Sequence, residues 1–287
     1  MTQSYHFISG LPRSGSTLLS AILRQNPRFH AAMTSPVGAL FNSVLGELGA
    51  HGEFAPLCTE AQKQAITRGL FDSYYHDQAD KPAIFDTNRL WSSQLPALKT
   101  LFPESKVICC VRNVAWVMDS IEKLHRKNAF DVSKMFNNPS ERGTVYSRLE
   151  TLAQGDRLVG FSYQALREAF YGEHSDSLLL VDYELLTRHP ADSMKLIYEF
   201  IGETPFVHNF SNVAYEASEF DAHLGAKGLH SVARKVEFRS RATILPPDLF
   251  EKFANMSFWL EQGGSRANVI SYKEKERNKM ASGEMEG

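Results

Sequence analysis

The residues best placed to do chemistry stand in the first quarter of the chain, in Gly10-Leu11-Pro12-Arg13-Ser14-Gly15-Ser16-Thr17. Two glycines, a guanidinium and three hydroxyls stand together there, between a β-rich run (Tyr5 to Ser9) and an apolar helical run that begins at Leu18. Strand, glycine loop and helix N-terminus together build an oxyanion site, where backbone N–H groups converge and the helix dipole favours negative charge. The spacing nearly spells the nucleotide-triphosphate loop G-x-x-x-x-G-K-S/T, but Ser16 stands where the lysine belongs and the cation comes earlier, as Arg13. Such a loop suits a phosphate-linked group held by amides, hydroxyls and one guanidinium fork better than it suits ATP or GTP chemistry.

A second constellation pairs Arg112, at the end of an apolar run, with Ser120, about two turns into the following helical pattern. Both side chains can reach one side of the loop's ligand, as a separate anion subsite would require. Two subsites of this kind fit a nucleotide phosphorylated at both its 5′ and 3′ ends.

These residues need a frame. Pro82 to Asp86, Lys106 to Val111 and Ser177 to Val181 read as buried strands, the middle one apolar from Val107 to Val111, as expected where helices cover both faces of a sheet. Helical spacing appears over Val37 to Leu48, Glu60 to His76, Trp91 to Leu101, Val114 to Arg126, Pro190 to Ile201 and Pro246 to Trp259. Glu141 to Tyr171 reads as one long helix or a broken pair, with Gly155 and Gly160 as interruptions, and Arg28 to Pro36 reads as a loop. Alternation of strand and helix predicts an α/β fold: three layers, a mostly parallel sheet with helices on both faces. Ligands of such sheets bind beyond the carboxyl ends of the strands, which gathers Arg13, Asp86 to Arg89, Arg112 and Tyr183 around one crevice.

Here the sequence resembles the sulfotransferases that use 3′-phosphoadenosine 5′-phosphosulfate (PAPS). Gly10 to Leu19, GLPRSGSTLL, is similar to their 5′-phosphosulfate loop, P-R-S-G-S/T-T-L. Arg112 followed by Ser120 has the spacing of their 3′-phosphate motif, Leu101 to Asn113 resembles the run into it, and Val181 to Leu186 resembles the segment whose tyrosine lies near the adenine. The loop is closest to that of tyrosylprotein sulfotransferases and their bacterial relatives. The resemblance implies a P-loop nucleotide-hydrolase-like sulfotransferase fold, with PAPS as co-substrate and no metal. Pro12, Arg13, Ser14, Gly15, Ser16 and Thr17 would bind the 5′-phosphosulfate. Arg112 and Ser120 would hold the 3′-phosphate and Tyr183 the adenine, with Ser231, Arg234 and Lys235 in a cofactor-covering loop. Arg13, and then Arg89 in a region where the family often has a lysine, would stabilise the charge that grows on the leaving bisphosphate.

The departure lies in the base. The tyrosylprotein enzymes carry a glutamate where this chain has Thr34, and no acid occurs from Arg28 to Leu45. Three residues remain to accept the acceptor's proton: Asp86, at a strand's carboxyl end, is ranked above His30 and His230. The missing glutamate and the lack of a secretory or membrane segment favour a hydroxyl or amine on a small metabolite over protein tyrosine as the acceptor. Tyr74-Tyr75 and Phe206 to Phe210 are candidates to line its pocket. The competing readings are a protein-tyrosine sulfotransferase, a P-loop-type kinase or phosphohydrolase, which needs Mg²⁺ ligands and a loop lysine, and a bisphosphate-binding module without turnover.

Composition narrows the partners. The chain has 287 residues and a net charge of −2, and no basic run interleaved with aromatics, so a nucleic-acid partner is not expected. No window approaches the roughly 18–20 apolar residues of a membrane span. Cys58, Cys109 and Cys110 are not a disulfide scaffold, since the neighbouring pair points to opposite faces of a strand; a reducing cytoplasm fits. Residues 1–272 read as one domain, able to form a homodimer, and 273–287 as a charged, disordered tail.

Overall fold

The computed structural model describes residues 3–272 except Ala50, His51, Ala129, Asp131, Val132, Ala214, Glu216 and Gln262; the expected tail lies outside the described residues. In chain order the elements are β1 (Ser4–Gly10), α1 (Ser16–Leu23), β2 (Phe29–Ala31), α2 (Val37–Leu48), α3 (Glu60–Tyr74), β3 (Ala83–Thr87), α4 (Leu95–Leu101), β4 (Val107–Val111) and α5 (Val114–Lys127). There follow α6 (Pro139–Arg142), α7 (Val145–Ala153), α8 (Leu158–Tyr171), β5 (Leu178–Asp182), α9 (Tyr183–Arg188), α10 (Pro190–Ile201), α11 (Ser218–His223), α12 (Pro247–Ala254) and β6 (Asn268–Ile270).

The strands form one six-stranded sheet in the order β2-β3-β1-β4-β5-β6, and every pairing is parallel. The α/β expectation holds. Alternate residues divide between the two faces, as the period of two requires. Phe7, Ile84, Cys109 and Leu180 pack with helices α2 to α5, α7, α8 and α12, whereas Ile8, Phe85, Ile108, Cys110 and Val181 pack with α1, α9 and α10. The adjacent cysteines do point to opposite faces, and all three thiols are free. All five β4 side chains are fully buried, each aliphatic one contributing roughly 1.5–3 kcal/mol to a strand that has neighbours on both sides.

Two edge strands escaped the sequence reading. β2 lies within the expected loop 28–36, so His30 sits on a strand, and β6 follows the last helix. Over 141–171 the broken pair holds, α7 and α8 parting around Gly155 after the short α6, whereas Gly160 belongs inside α8: a Cβ there would lie 2.1 Å from the Gln154 carbonyl oxygen. Among the described residues no helix is long and apolar enough to cross a membrane.

Candidate active site

The carboxyl ends of β1, β3, β4 and β5 open into a cleft of about 860 Å³. Its floor is the 10–17 loop. β1 ends at Gly10 (φ 107°), where a Cβ would fall 2.1 Å from the Cys110 carbonyl oxygen, so only glycine lets β1 and β4 run this close. Ser14 ties the loop down: its hydroxyl donates to the Cys110 carbonyl at 2.7 Å and to the Leu11 carbonyl. Its side chain is therefore spent on the loop's own shape and does not line the cleft, while Pro12, Arg13, Gly15, Ser16 and Thr17 do. Arg13 takes a left-handed φ of 59°, and Gly15 (φ 101°) precedes α1 without any side-chain cap. The first-turn N–H groups of α1 thus face the cleft end of the helix with its positive dipole.

The second motif meets the first. Arg13 Nε donates to Ser120 Oγ at 3.1 Å, and Arg13 Nη1 donates to the Leu229 carbonyl. Tyr183, opening α9 after β5, lies against Gly15, where a Cβ would come within 3.0 Å of its ring. The Arg112 guanidinium stacks over that ring at 4.4 Å from the centroid. Burial lowers the pKa of Arg112, the neighbouring Tyr183 opposes this, and Arg241 and Arg13 lower it further. Three guanidiniums therefore crowd one end of the cleft, a field that a multiply charged anion relieves.

Arg241 was not singled out by sequence. Buried Asp119, one residue before Ser120 on α5, pairs with it, and Asp119 Oδ1 accepts from Thr243 Oγ1 and the Ile244 N–H, both at 2.7 Å. Arg241 also lies 5.0 Å from the Trp116 ring centroid. Arg241 closes a basic stretch, 234–241, in which nothing local marks the cation that faces the site. Of the expected covering residues, Ser231 and Lys235 line the cleft, with Lys235 paired to Glu237 at 3.0 Å, whereas Arg234 is exposed outside it.

Arg89, Thr34, Met33, Phe220, Leu229 and His230 also line the cleft, with Leu229 held by Arg13. Arg89 is exposed at the cleft wall, yet the surrounding protein desolvates its guanidinium and lowers its pKa; its carbonyl accepts from Ser9 Oγ at 3.1 Å, and its side chain makes no hydrogen bond or ion pair among the described residues. Asp86 lies elsewhere. It is fully buried, with Oδ1 accepting from Trp91 Nε1 at 2.8 Å and Oδ2 from Tyr75 OH at 2.6 Å and Ser35 Oγ at 2.5 Å. Burial raises its pKa and those three donors oppose the rise. It braces α2, α3 and the turn after β3, and does not line the cleft. His30 is likewise outside it, with Nδ1 3.1 Å from Gln78 Oε1 on the β2 edge. Tyr75 is core, and neither Tyr74 nor Phe206 to Phe210 lines the cleft.

A parallel sheet with a glycine loop, an uncapped helix start and a guanidinium cluster at its carboxyl edge defines an α/β enzyme that binds an oxyanion-bearing substrate. The chain matches the sulfotransferase family over residues 6–206 and belongs to it. In structure it is similar to a sulfotransferase domain from the curacin biosynthetic pathway, at 16% identity and TM-score 0.50, covering 98% of each chain. Two further similar structures are a sulfotransferase domain of the Synechococcus PCC 7002 olefin synthase (19% identity, 91% of this chain and 97% of that one, TM-score 0.49) and a sulfotransferase from Alicyclobacillus acidocaldarius (15%, 78% and 92%, TM-score 0.47). No curated protein matches the chain.

Proposed function

We propose that this chain moves a sulfuryl group from PAPS to a hydroxyl or amine of a small-molecule acceptor. The observation that carries the reading is the Arg13–Ser120 contact, which brings the loop subsite and the Arg112/Ser120 subsite side by side. In this reading the α1 amides, Arg13, Ser16 and Thr17 take the 5′-phosphosulfate. Arg112, Ser120 and Arg241 take the 3′-phosphate, and Tyr183 packs on the adenine. The acceptor enters beside Met33, Phe220 and Leu229.

The transfer breaks the bond between sulfur and the bridging oxygen, which departs with the electron pair as part of the bisphosphate. Arg13 and Arg89 meet the charge that develops there, and they bind it more strongly in the transition state than in the ground state. The residues fit PAPS, and no step needs a metal ligand. A cytoplasmic location belongs to the same reading, because the thiols are free.

The test is calorimetric binding of 3′,5′-adenosine bisphosphate against ATP. Micromolar binding of the bisphosphate, weak binding of ATP, and a loss of roughly 2–4 kcal/mol in Arg112→Ala are expected. Equal affinity for both nucleotides, or indifference to Arg112, overturns the reading.

A further inference from the structure

We propose that the segment covering the cleft carries its own proton-accepting device: His230 Nε2 takes the proton of the acceptor, and Asp221 is its positioning residue. The proposal rests on the sulfuryl-transfer reading above.

Asp221 is buried on α11, and both its carboxylate oxygens are committed to one residue: Oδ1 lies 2.5 Å from His230 Nδ1, and Oδ2 accepts the His230 backbone N–H at 2.9 Å. The chain must reverse sharply for this. Gly225 (φ 65°) and Gly228 (φ 83°) supply the left-handed positions, and Ala226 N–H donates to the Asp221 carbonyl at 3.0 Å. Holding the ring at Nδ1–H fixes the tautomer in which Nε2 carries the lone pair. Nε2 makes no hydrogen bond among the described residues, and His230 lines the cleft with Arg89 and Leu229.

The charged groups facing His230 are Asp221 from α11, Arg13 from the loop after β1 and Arg89 from the turn after β3. Burial and the two arginines hold the imidazole below its ordinary pKa, and Asp221 opposes them. The ring is thus neutral and ready to accept a proton near pH 7, and the carboxylate stabilises the imidazolium once the proton arrives. Other cleft-lining acids are occupied or exposed: Glu237 pairs with Lys235 and Arg239, and Asp156 stands at the mouth beside Arg157. Thr34 carries a hydroxyl that is no base at neutral pH.

The step balances. The acceptor oxygen attacks sulfur and forms the new S–O bond as its proton passes to Nε2. The S–O bond to the 5′-phosphate breaks, and the bridging oxygen keeps the electron pair. Leu229, whose carbonyl accepts from Arg13, directly precedes the base, so the arginine that meets the donor also holds the peptide that presents His230.

The experiment uses the full chain, labelled PAPS and a series of ring-substituted phenols of increasing acidity, with bisphosphate affinity as the control. His230→Gln is expected to lower kcat roughly 10²–10⁴-fold with unsubstituted phenol and far less with 4-nitrophenol, whose proton is more easily lost, while bisphosphate affinity stays within about threefold. Asp221→Asn is expected to lower kcat and to move the acidic limb of the kcat/KM profile to lower pH, because the carboxylate that raised the His230 pKa is gone. A merely structural role would not move that limb. Equal loss across all the phenols, an unshifted limb, or no transfer to any phenol by a wild-type protein that binds bisphosphate overturns the assignment. Failure of the wild type to bind bisphosphate overturns the donor reading instead.

Discussion

Arg13 and Ser120, 107 residues apart in sequence, meet through a hydrogen bond of 3.1 Å from Nε to Oγ. One comes from the strand–loop–helix at the start of the chain and the other from α5, on the far side of β4. Each is a partner for the other. A bisphosphate exchanges the hydroxyl acceptor for an anionic one, so that Arg13 gains an opposite charge and Ser120 a charged acceptor for its own proton.

Ser120→Ala should therefore weaken bisphosphate binding about tenfold, ~1.4 kcal/mol, in calorimetry. Its unfolding midpoint should hardly change, since Ser120 is only half-buried.

Asp119→Asn keeps an oxygen for Thr243 and Ile244 and turns an amide toward Arg241. The expected result is a loss of about tenfold in bisphosphate affinity through a misplaced Arg241, ~1.4 kcal/mol. The double variant Asp119→Asn/Arg241→Gln should lose no more than the worse single one, because both changes remove the same contact. Additive losses would show that Asp119 acts on the anion site other than through Arg241.

Asp86→Asn distinguishes a brace from a base. With three donors on one buried carboxylate, the expected cost is roughly 1–3 kcal/mol of stability, read as a lower melting temperature. The folded protein should retain kcat to well within the factor of 10² that loss of a general base brings.

His6 gives the fold an acid-side weakness. Burial, with Lys106 and Lys99 acting in the same direction, pushes its pKa down to about 4, and the Lys106 N–H donates to its Nδ1 at 3.3 Å, which requires the neutral ring. The unfolded chain binds the proton more readily, so this contribution is present above pH 6.5 and is lost as pH falls toward 4. Denaturant titrations should show about 3 kcal/mol lost across that window, and His6→Gln should flatten the slope.

Legibility followed how local each feature is. Val107–Val111 announces a buried strand by composition, and Gly10 to Thr17 announces its loop by spacing. β2 and β6 have three residues each, too few for a period to emerge, and each pairs with a single neighbour. The helix expected over 91–101 begins at Leu95, where Pro96 occupies its first turn. Asp86 looked like a base because strand ends gather reactive groups. Its partners Ser35, Tyr75 and Trp91 come from three separate segments, so its burial shows only in three dimensions. The same holds for Asp119 with Arg241, and for His230, which ranks behind Asp86 until Asp221 is seen to hold it.

The family match stops at residue 206, whereas Phe220, Leu229, His230 and Arg241 all follow it. The segment that bears them has bonds of its own, Val213 N–H to Arg234 O, Val232 N–H to Tyr215 O and Val236 N–H to Phe210 O, and is tied to the donor site by Leu229 on Arg13 and Arg241 on Asp119. Most of the donor contacts thus come from one stretch of gene and most of the cover from another, and a lineage that altered the second while keeping Arg241 would acquire a new clientele without rebuilding the loop.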